Sequence, residues 1–338
     1  MNDKNKIWQA LGIQNSSRLT ILYGVLNWGL GHASRSLPII RGLINSGHRV
    51  LIASDGVALQ LLEKSLPGEQ FYELPLLDIN YQSESEWKNV MSQSLNLFRH
   101  IQDDRRFVKK ICETENIDLV ISDHRLGFCV KGKENVLICH QLNLKAKSKL
   151  IESAINRVQL SFLSKFDKIL VPDFENHRLS GELSYSKLKN VSFIEPLSNI
   201  SLPDSSDFKY KYLAILSGPE PKRTILETKL LDIFSQCEDS CCLVRGTENA
   251  INTEIASNIT IYNLCKKEEL SNLISQSESL IARCGYSTIM DFYSTIKKVI
   301  LIPTPGQPEQ EYLATWHLQK GIFKIVLEEN LSLKSIEY

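Results

Sequence analysis

Neither sign of charge is in excess: 39 Lys and Arg offset 39 Asp and Glu. Sequence-independent binding of nucleic acid draws its affinity from neutralised phosphates, so a balanced chain is poorly equipped for it and no nucleic-acid partner is expected. No apolar run approaches the roughly 18–20 residues of a membrane span. The polar segment Met1–Ser17 lacks the apolar centre of a secretory signal. The eight cysteines are scattered, with no Cys-x-x-Cys pair and no His beside the Cys237–Cys242 group, so a structural zinc site has little support. Reduced thiols in a cytoplasmic protein are the expectation. An Asp-x-Asp pair is also missing; Asp103 and Asp104 are adjacent and lie on a helical stretch.

What is there is the composition of a globular protein, 43% hydrophobic and 23% charged, on a length that suits two α/β domains. Short apolar runs rich in β-branched residues recur at Leu19–Leu26, Val50–Ser54, Leu119–Ser122, Val136–Cys139, Lys168–Val171, Tyr212–Ser217, Cys242–Arg245, Ile259–Tyr262, Ser279–Ala282 and Val299–Ile302. Continuous apolar character suits strands buried on both faces of a parallel sheet. Helical patterns such as Leu37–Ser46, Leu95–Thr114 and Leu226–Ser235 alternate with them, which argues for doubly wound α/β architecture. Pro196–Lys209, rich in Ser, Pro and Asp, has neither periodicity and reads as a linker, after which the strand series restarts. The expected division is an extension over 1–18, a first domain over 19–197, a linker over 198–210 and a second domain over 211–338. Two such halves face each other across a cleft, and ligands in these sheets bind beyond the carboxyl ends of the strands.

Three strand-end segments carry polar chemistry. The first is Asn27-Trp28-Gly29-Leu30-Gly31-His32-Ala33-Ser34-Arg35, before a helix expected near Ser36-Leu37-Pro38. Gly29 and Gly31 let backbone approach a ligand, and the helix start offers free N–H groups to negative charge. The dinucleotide fingerprint is incomplete, because Ser34 stands where its third glycine belongs. His32 has the side chain to accept a hydroxyl proton at neutral pH, against the plainer reading of a capping or core histidine. The second segment is Asp123-His124-Arg125, where Asp123 either bonds the His32 imidazole or merely caps a turn; His140 is a further candidate for the same edge. The third is Ala282–Asp291. Gly285, Tyr286, Ser287 and Thr288 open a helix suited to a pyrophosphate, and Asp291 one turn on is placed for a ribose diol. Beyond it, three prolines stiffen Pro303–Pro308, and Gln310 and Glu311 begin a helix with side chains suited to sugar hydroxyls.

At these residues the sequence resembles the GT-B glycosyltransferases of the MurG-like and UDP-glycosyltransferase-like group. Gly31-His32 and Pro38 match the group's first loop, and Asp123 matches the Asp that pairs with that His. Cys284-Gly285 through Thr288 to Asp291 matches a small-Gly-x-x-Thr-x-x-Glu element, with Asp in place of Glu. Gln310 and Glu311 match its Gln-rich donor-sugar motif, with Glu in place of the second Gln. Leu216–Thr224 and Val171–Phe174 with Leu179–Ser184 look like an uncharacterised bacterial branch of the superfamily.

The resemblance implies a GT-B fold and an inverting transfer of a sugar from a UDP-sugar donor, with no metal and no other cofactor. The first domain would hold the acceptor, a sugar or a lipid-linked or small molecule, and the second the nucleotide sugar. His32 would be the base, Asp123 its partner, and Ser217, Gly218 and Arg223 would flank the diphosphate. A UDP-N-acetylglucosamine 2-epimerase of the same architecture, or a non-catalytic nucleotide-sugar-binding protein, are the alternatives. Leu95–Cys112, with Arg99, Arg105, Arg106, Lys109 and Lys110 beside Leu97, Phe98, Ile101 and Phe107, is compatible with peripheral contact with the cytoplasmic face of a membrane as well as with an ordinary amphipathic helix.

Overall fold

The computed structural model describes residues 4–13, 17–28, 30–75, 86–146, 148–198, 200, 208–248, 255–295 and 297–338, with backbone alone over 4–5 and 86–97. The chain divides into two compact units, Met1–Leu197 and Ser198–Tyr338.

The first unit runs α1 (Lys4–Leu11), β1 (Thr20–Val25), α2 (Leu30–Asn45), β2 (Arg49–Ser54), α3 (Gly56–Ser65), β3 (Gln70–Glu73), α4 (Glu86–Thr114), β4 (Leu119–Asp123), β5 (Glu134–Ile138), α5 (Lys149–Leu163), β6 (Lys168–Val171) and β7 (Val191–Phe193). Among the described residues its seven strands are all parallel, in the order β3-β2-β1-β4-β5-β6-β7. Side chains alternate across a strand, and the sequence supplies apolar residues for both faces. Ile21, Tyr23 and Val25 of β1 join Val50 and Ile52 of β2 and Leu119 and Ile121 of β4 in one core, packed with Ile40 and Leu43 of α2. Leu22, Leu51 and Val120 face the other way, into a core with Val108 and Ile111 of α4 and Phe128. Gly24 sits on this second face; a Cβ there would come within 2.6 Å of the Phe128 ring, so the missing side chain makes room for it.

Two features of this unit depart from the sequence expectations. The polar stretch before β1 contains α1, whose Ile7 and Leu11 are buried in the main core while Trp8 packs against it. The basic helix α4 turns Ile101, Val108 and Ile111 inward, and Phe107 packs on Phe128 and Tyr72. Its apolar side is therefore spent on the sheet; Arg106, Lys109 and Lys110 stay exposed, Phe98 is exposed, and the Leu97 side chain lies outside the described residues. Among the described residues no helix is long and apolar enough to cross a membrane.

The second unit runs β8 (Tyr210–Ile215), α6 (Lys222–Ser235), β9 (Cys241–Val244), β10 (Ile259–Tyr262), α7 (Lys267–Ser275), β11 (Ser277–Arg283), α8 (Tyr286–Phe292), β12 (Lys298–Ile302), α9 (Pro308–Lys320), β13 (Lys324–Ile325) and α10 (Leu333–Ile336). Its six strands are also all parallel, ordered β10-β9-β8-β11-β12-β13. Tyr212, Ala214, Ile281 and Ile300 pack against Leu226, Leu230 and Phe234 of α6. Of the expected linker, residues 199 and 201–207 lie outside the described residues.

Both sheets therefore have the Rossmann-like order in which the chain starts at the middle strand, moves outward to one edge, then returns to the other side. The order reverses between β1 and β4 in the first unit and between β8 and β11 in the second. A crevice opens beyond the carboxyl ends of two strands at such a reversal, because their following helices leave on opposite faces.

Candidate active site

At the first reversal, the last residue of β4 is Asp123, in register with Val25 of β1 and fully buried. Helix α2 begins at Leu30, ahead of the start expected near Ser36, and carries Pro38 in its interior. The earlier start matters. It puts His32, Arg35 and Ser36 at i, i+3 and i+4 on one helix face, and all three side chains converge on the Asp123 carboxylate. His32 Nδ1 lies 3.0 Å from Oδ1. Arg35 donates through Nε to Oδ2 at 2.9 Å and through Nη2 to Oδ1, and Ser36 Oγ donates to Oδ2 at 2.7 Å.

This arrangement assigns the histidine tautomer. Burial alone would raise the Asp123 pKa, but Arg35 and then His32 outweigh it and hold the carboxyl well below the usual carboxylate range. An ionised carboxylate only accepts, so Nδ1 of His32 carries the proton when it bonds Asp123, and Arg35 Nη2, 2.9 Å from that nitrogen, then donates to Oδ1 of Asp123 and not to Nδ1. Nε2 is then the accepting nitrogen, and no described residue hydrogen-bonds it. Burial first, and then the Arg35 guanidinium, lower the His32 pKa below 6.5 against the opposing pull of Asp123. His32 is thus a neutral imidazole at pH 7, with one nitrogen anchored and the other free to take a proton.

The surroundings are built to hold this geometry. His124 follows Asp123 in the left-handed region at φ 62° and packs edge-on to His32 at 5.3 Å between ring centroids. His140, after β5, lies 5.4 Å from His124, so it belongs to the same cluster one ring further out. Arg125 is fully buried, donating to Asp55 at 2.6 Å and to Asp104 at 2.7 Å. Asp55 in turn accepts from Asn27 Nδ2 at 2.9 Å, which ties the loop after β1 to the end of β2. Gly31 lies in the first turn of α2; Gly29 lies outside the described residues.

At the second reversal, β8 ends in an exposed turn at Ser217-Gly218, with Gly218 at φ 106° and open space where a Cβ would be. After β11, Gly285 is the N-cap of α8, and Ser287 and Thr288 are half-buried in its first turn. Helix α8 is only seven residues long. Tyr286 buries its side chain, leaving its backbone at the helix start. Asp291, half-buried, accepts from Ser198 Oγ at 2.8 Å.

Arg223, Gln310 and Glu311 are engaged in contacts within their own unit. Arg223 turns into a group of acidic partners. It is buried, bonded to Glu220 at 2.5 Å, to Glu227, and to Thr224 Oγ1 at 2.7 Å, with Arg245 held on the other oxygen of Glu227 at 2.7 Å. The spacing i, i+4 to an acidic residue on the same helix captures it. Its neighbour Lys222, half-buried, instead reaches the loop after β12 and donates to the Pro305 carbonyl. Gln310 and Glu311 lie in the first turn of α9, which starts at Pro308, and turn back onto their own loop. Gln310 Oε1 accepts from Thr304 N at 2.9 Å, and Glu311 Oε1 accepts from Gly306 N at 2.7 Å. These bonds stiffen the Pro303–Gln307 turn. Among the described residues no group of three or more His, Cys, Asp or Glu is arranged to hold a metal ion.

Arg35 and Lys222 are the residues the sequence reading passed over. The i, i+3 spacing of His32 and Arg35 was the available signal for the first; nothing in the sequence ranked Lys222 above Arg223.

Comparisons with known proteins agree with this architecture. Residues 19–144 match the family described as Glycosyl transferase family 1. An uncharacterized glycosyltransferase of Methanosarcina acetivorans is 25% identical, over 87% of this chain and 82% of its own. The UDP-N-acetylglucosamine--N-acetylmuramyl-(pentapeptide) pyrophosphoryl-undecaprenol N-acetylglucosamine transferase of Staphylococcus aureus is 24% identical, over 90% of this chain and 85% of its own. The crystal structure of the glycotransferase of kitacinnamycin superposes with a TM-score of 0.69 at 13% identity, covering 95% of this chain and 89% of that one.

The two Rossmann-like parallel-sheet units have the GT-B fold, and the family match and the relatives support a glycosyltransferase. The crystal structure of Acinetobacter baumannii MurG is also similar, with a TM-score of 0.57 at 15% identity, covering 95% of this chain and 89% of that one.

Proposed function

We propose that the protein is an inverting, metal-independent glycosyltransferase that moves a hexose or N-acetylhexosamine from a UDP-sugar to a hydroxyl of a lipid-linked, polysaccharide or small-molecule acceptor. The observation that carries this reading is the anchored, neutral His32, whose free Nε2 is available to an incoming hydroxyl. His32 removes the acceptor proton as the oxygen attacks the anomeric carbon, and the bond to the diphosphate breaks with its electron pair on the leaving group. A positioned base contributes about 10²–10⁴ to such a step.

The second unit holds the nucleotide. The exposed Ser217-Gly218 turn and the Gly285 cap let backbone N–H groups approach the diphosphate. Lys222, beside that turn, supplies the positive charge for which Arg223 is no longer available. Asp291 receives the ribose. The Staphylococcus aureus relative acts, by its name, with a UDP-sugar on a pyrophosphoryl-undecaprenol acceptor, which favours a UDP-linked donor and a lipid-linked acceptor here. The absence of an Asp-x-Asp pair is consistent with a reaction that runs without a cation.

A thermal-shift screen of UDP-, GDP- and dTDP-sugars tests the donor assignment, because a ligand that binds only the folded state raises its melting temperature. UDP-sugars should give the largest shift, with EDTA leaving it unchanged. A larger shift with another nucleotide would overturn the donor, and loss of the shift in EDTA would overturn metal independence.

A further inference from the structure

The Arg35 guanidinium occupies both oxygens of the carboxylate that also anchors His32, and its Nη2 lies 2.9 Å from His32 Nδ1. We propose that Arg35 is a positioning residue for the base. It makes a charge-compensated His–Asp–Arg unit that fixes Nδ1 toward the carboxylate while denying the imidazole the carboxylate's full negative charge. The inference rests on the reading of His32 as base, and concerns how that base is set.

The unit's charges decide the matter. Asp123 contributes one negative charge and Arg35 one positive, so the neutral imidazole faces a balanced pair. Around it stand Arg35 and Ser36 on α2, Asp123 and His124 at the end of β4, Tyr23 on β1, and Cys139 and His140 at the end of β5. Among these described groups Asp123 is the anion at neutral pH, and Arg35 has already taken it. Protonating His32 would therefore place a second cation against the guanidinium, with His124 and His140 packed beyond it. Arg35 is also 98% buried with Nη1 making no hydrogen bond to any described residue. A buried donor left without a partner costs about 1–3 kcal/mol, which is not the mark of a residue placed for stability alone.

The consequence is chemical. In the transfer step the acceptor O–H bond breaks and its proton moves to Nε2, the new C–O bond forms at the anomeric carbon, and the sugar–phosphate bond breaks toward the diphosphate. The imidazolium left behind is acidic because burial and the adjacent Arg35 disfavour its charge, so it returns its proton to solvent readily. The base is thus in its working form below pH 6.5.

The test is the titration of His32 by long-range ¹H–¹⁵N NMR in the full chain, assigned with His32→Gln, in wild type, Arg35→Gln and Arg35→Lys. The pH dependence of kcat/KM is measured alongside. Wild type should show the Nδ1–H tautomer and a midpoint below 6.5. Arg35→Gln should raise the midpoint and the acidic limb by about one to three pH units, while Arg35→Lys stays near wild type. An Nε2–H tautomer or a midpoint above 6.5 in the wild type would overturn the proposal, even if Arg35→Gln does not fold. So would an unmoved midpoint in Arg35→Gln. The titration needs no turnover: should His32→Gln retain full transfer, the base reading falls while the coupling of Arg35 to His32 is still measured.

Discussion

Ser198 donates a hydrogen bond of 2.8 Å to Asp291, so the carboxylate assigned to the ribose is held by the first residue of the second unit. Asp291 stands where the sequence resemblance implies a Glu, one methylene longer, and Ser198 meets the shorter group.

If Asp291 takes the ribose diol, Asp291→Ala should raise the nucleotide's dissociation constant tenfold or more, since hydrogen bonds to a charged group contribute about 1.5–3 kcal/mol. Ser198→Ala, which removes this one hydrogen bond, should leave affinity equal or tighter. Calorimetric titration with UDP checks both, and an unchanged constant in Asp291→Ala would remove the residue from the site.

The ion pairs of Arg223 and Arg245 with Glu227 make a structural prediction where a binding one was expected. Glu227→Ala removes the buried carboxylate that Arg223 and Arg245 share and should cost about 1–3 kcal/mol in urea unfolding. Arg223→Met should lower stability while the folded protein binds UDP within about twofold of wild type. A tenfold loss of affinity at unchanged stability would return Arg223 to the diphosphate.

The histidine cluster sets an acid limit on stability. Burial, then His32, His140 and Arg35, hold His124 well below 6.5, and His32 is lowered too. Below about pH 6.5 the unfolded chain binds these protons and the folded one does not, so stability falls as pH drops, by up to about 1.4 kcal/mol per unit for each histidine. Asp123 acts later. Its stabilisation is intact above the ordinary carboxylate range and is lost only as pH falls through its depressed folded value. His124→Asn, which tolerates the left-handed backbone, should reduce the stability lost between pH 7 and pH 5 in urea titrations. Equal losses in both proteins would contradict this.

Helix α1 is docked through Trp8, whose ring lies where a Cβ on Gly42 would come within 2.3 Å. Gly42→Ala should therefore destabilise the first unit by about 1–3 kcal/mol and speed hydrogen exchange over residues 4–11. Unaltered exchange would show that the helix does not depend on this contact.

Much of this was legible in the sequence, for a definite reason. Strands buried on both faces carry continuous apolar runs, such as Leu119–Ile121 of β4, and so announce themselves. The edge strands β3, β7 and β13 were not seen because they are short and only partly buried, and so carry no such pattern. His32 and Asp123 were found because each stands at a strand end beside a glycine turn or a helix start. Arg35 was missed because Pro38 was taken to mark the helix start; with the helix beginning at Leu30, the i, i+3, i+4 face becomes visible. The fate of Arg223, Gln310 and Glu311 was not legible. Whether a polar side chain faces a ligand or returns to its own helix and loop depends on contacts of a few ångströms, which residue type does not encode.

The central claim is tested most directly by His32→Ala, with sugar transfer and UDP binding measured on the same preparation. Turnover should fall by about 10²–10⁴ while the UDP dissociation constant stays within about twofold of wild type. Transfer at the wild-type rate with binding intact would contradict the account.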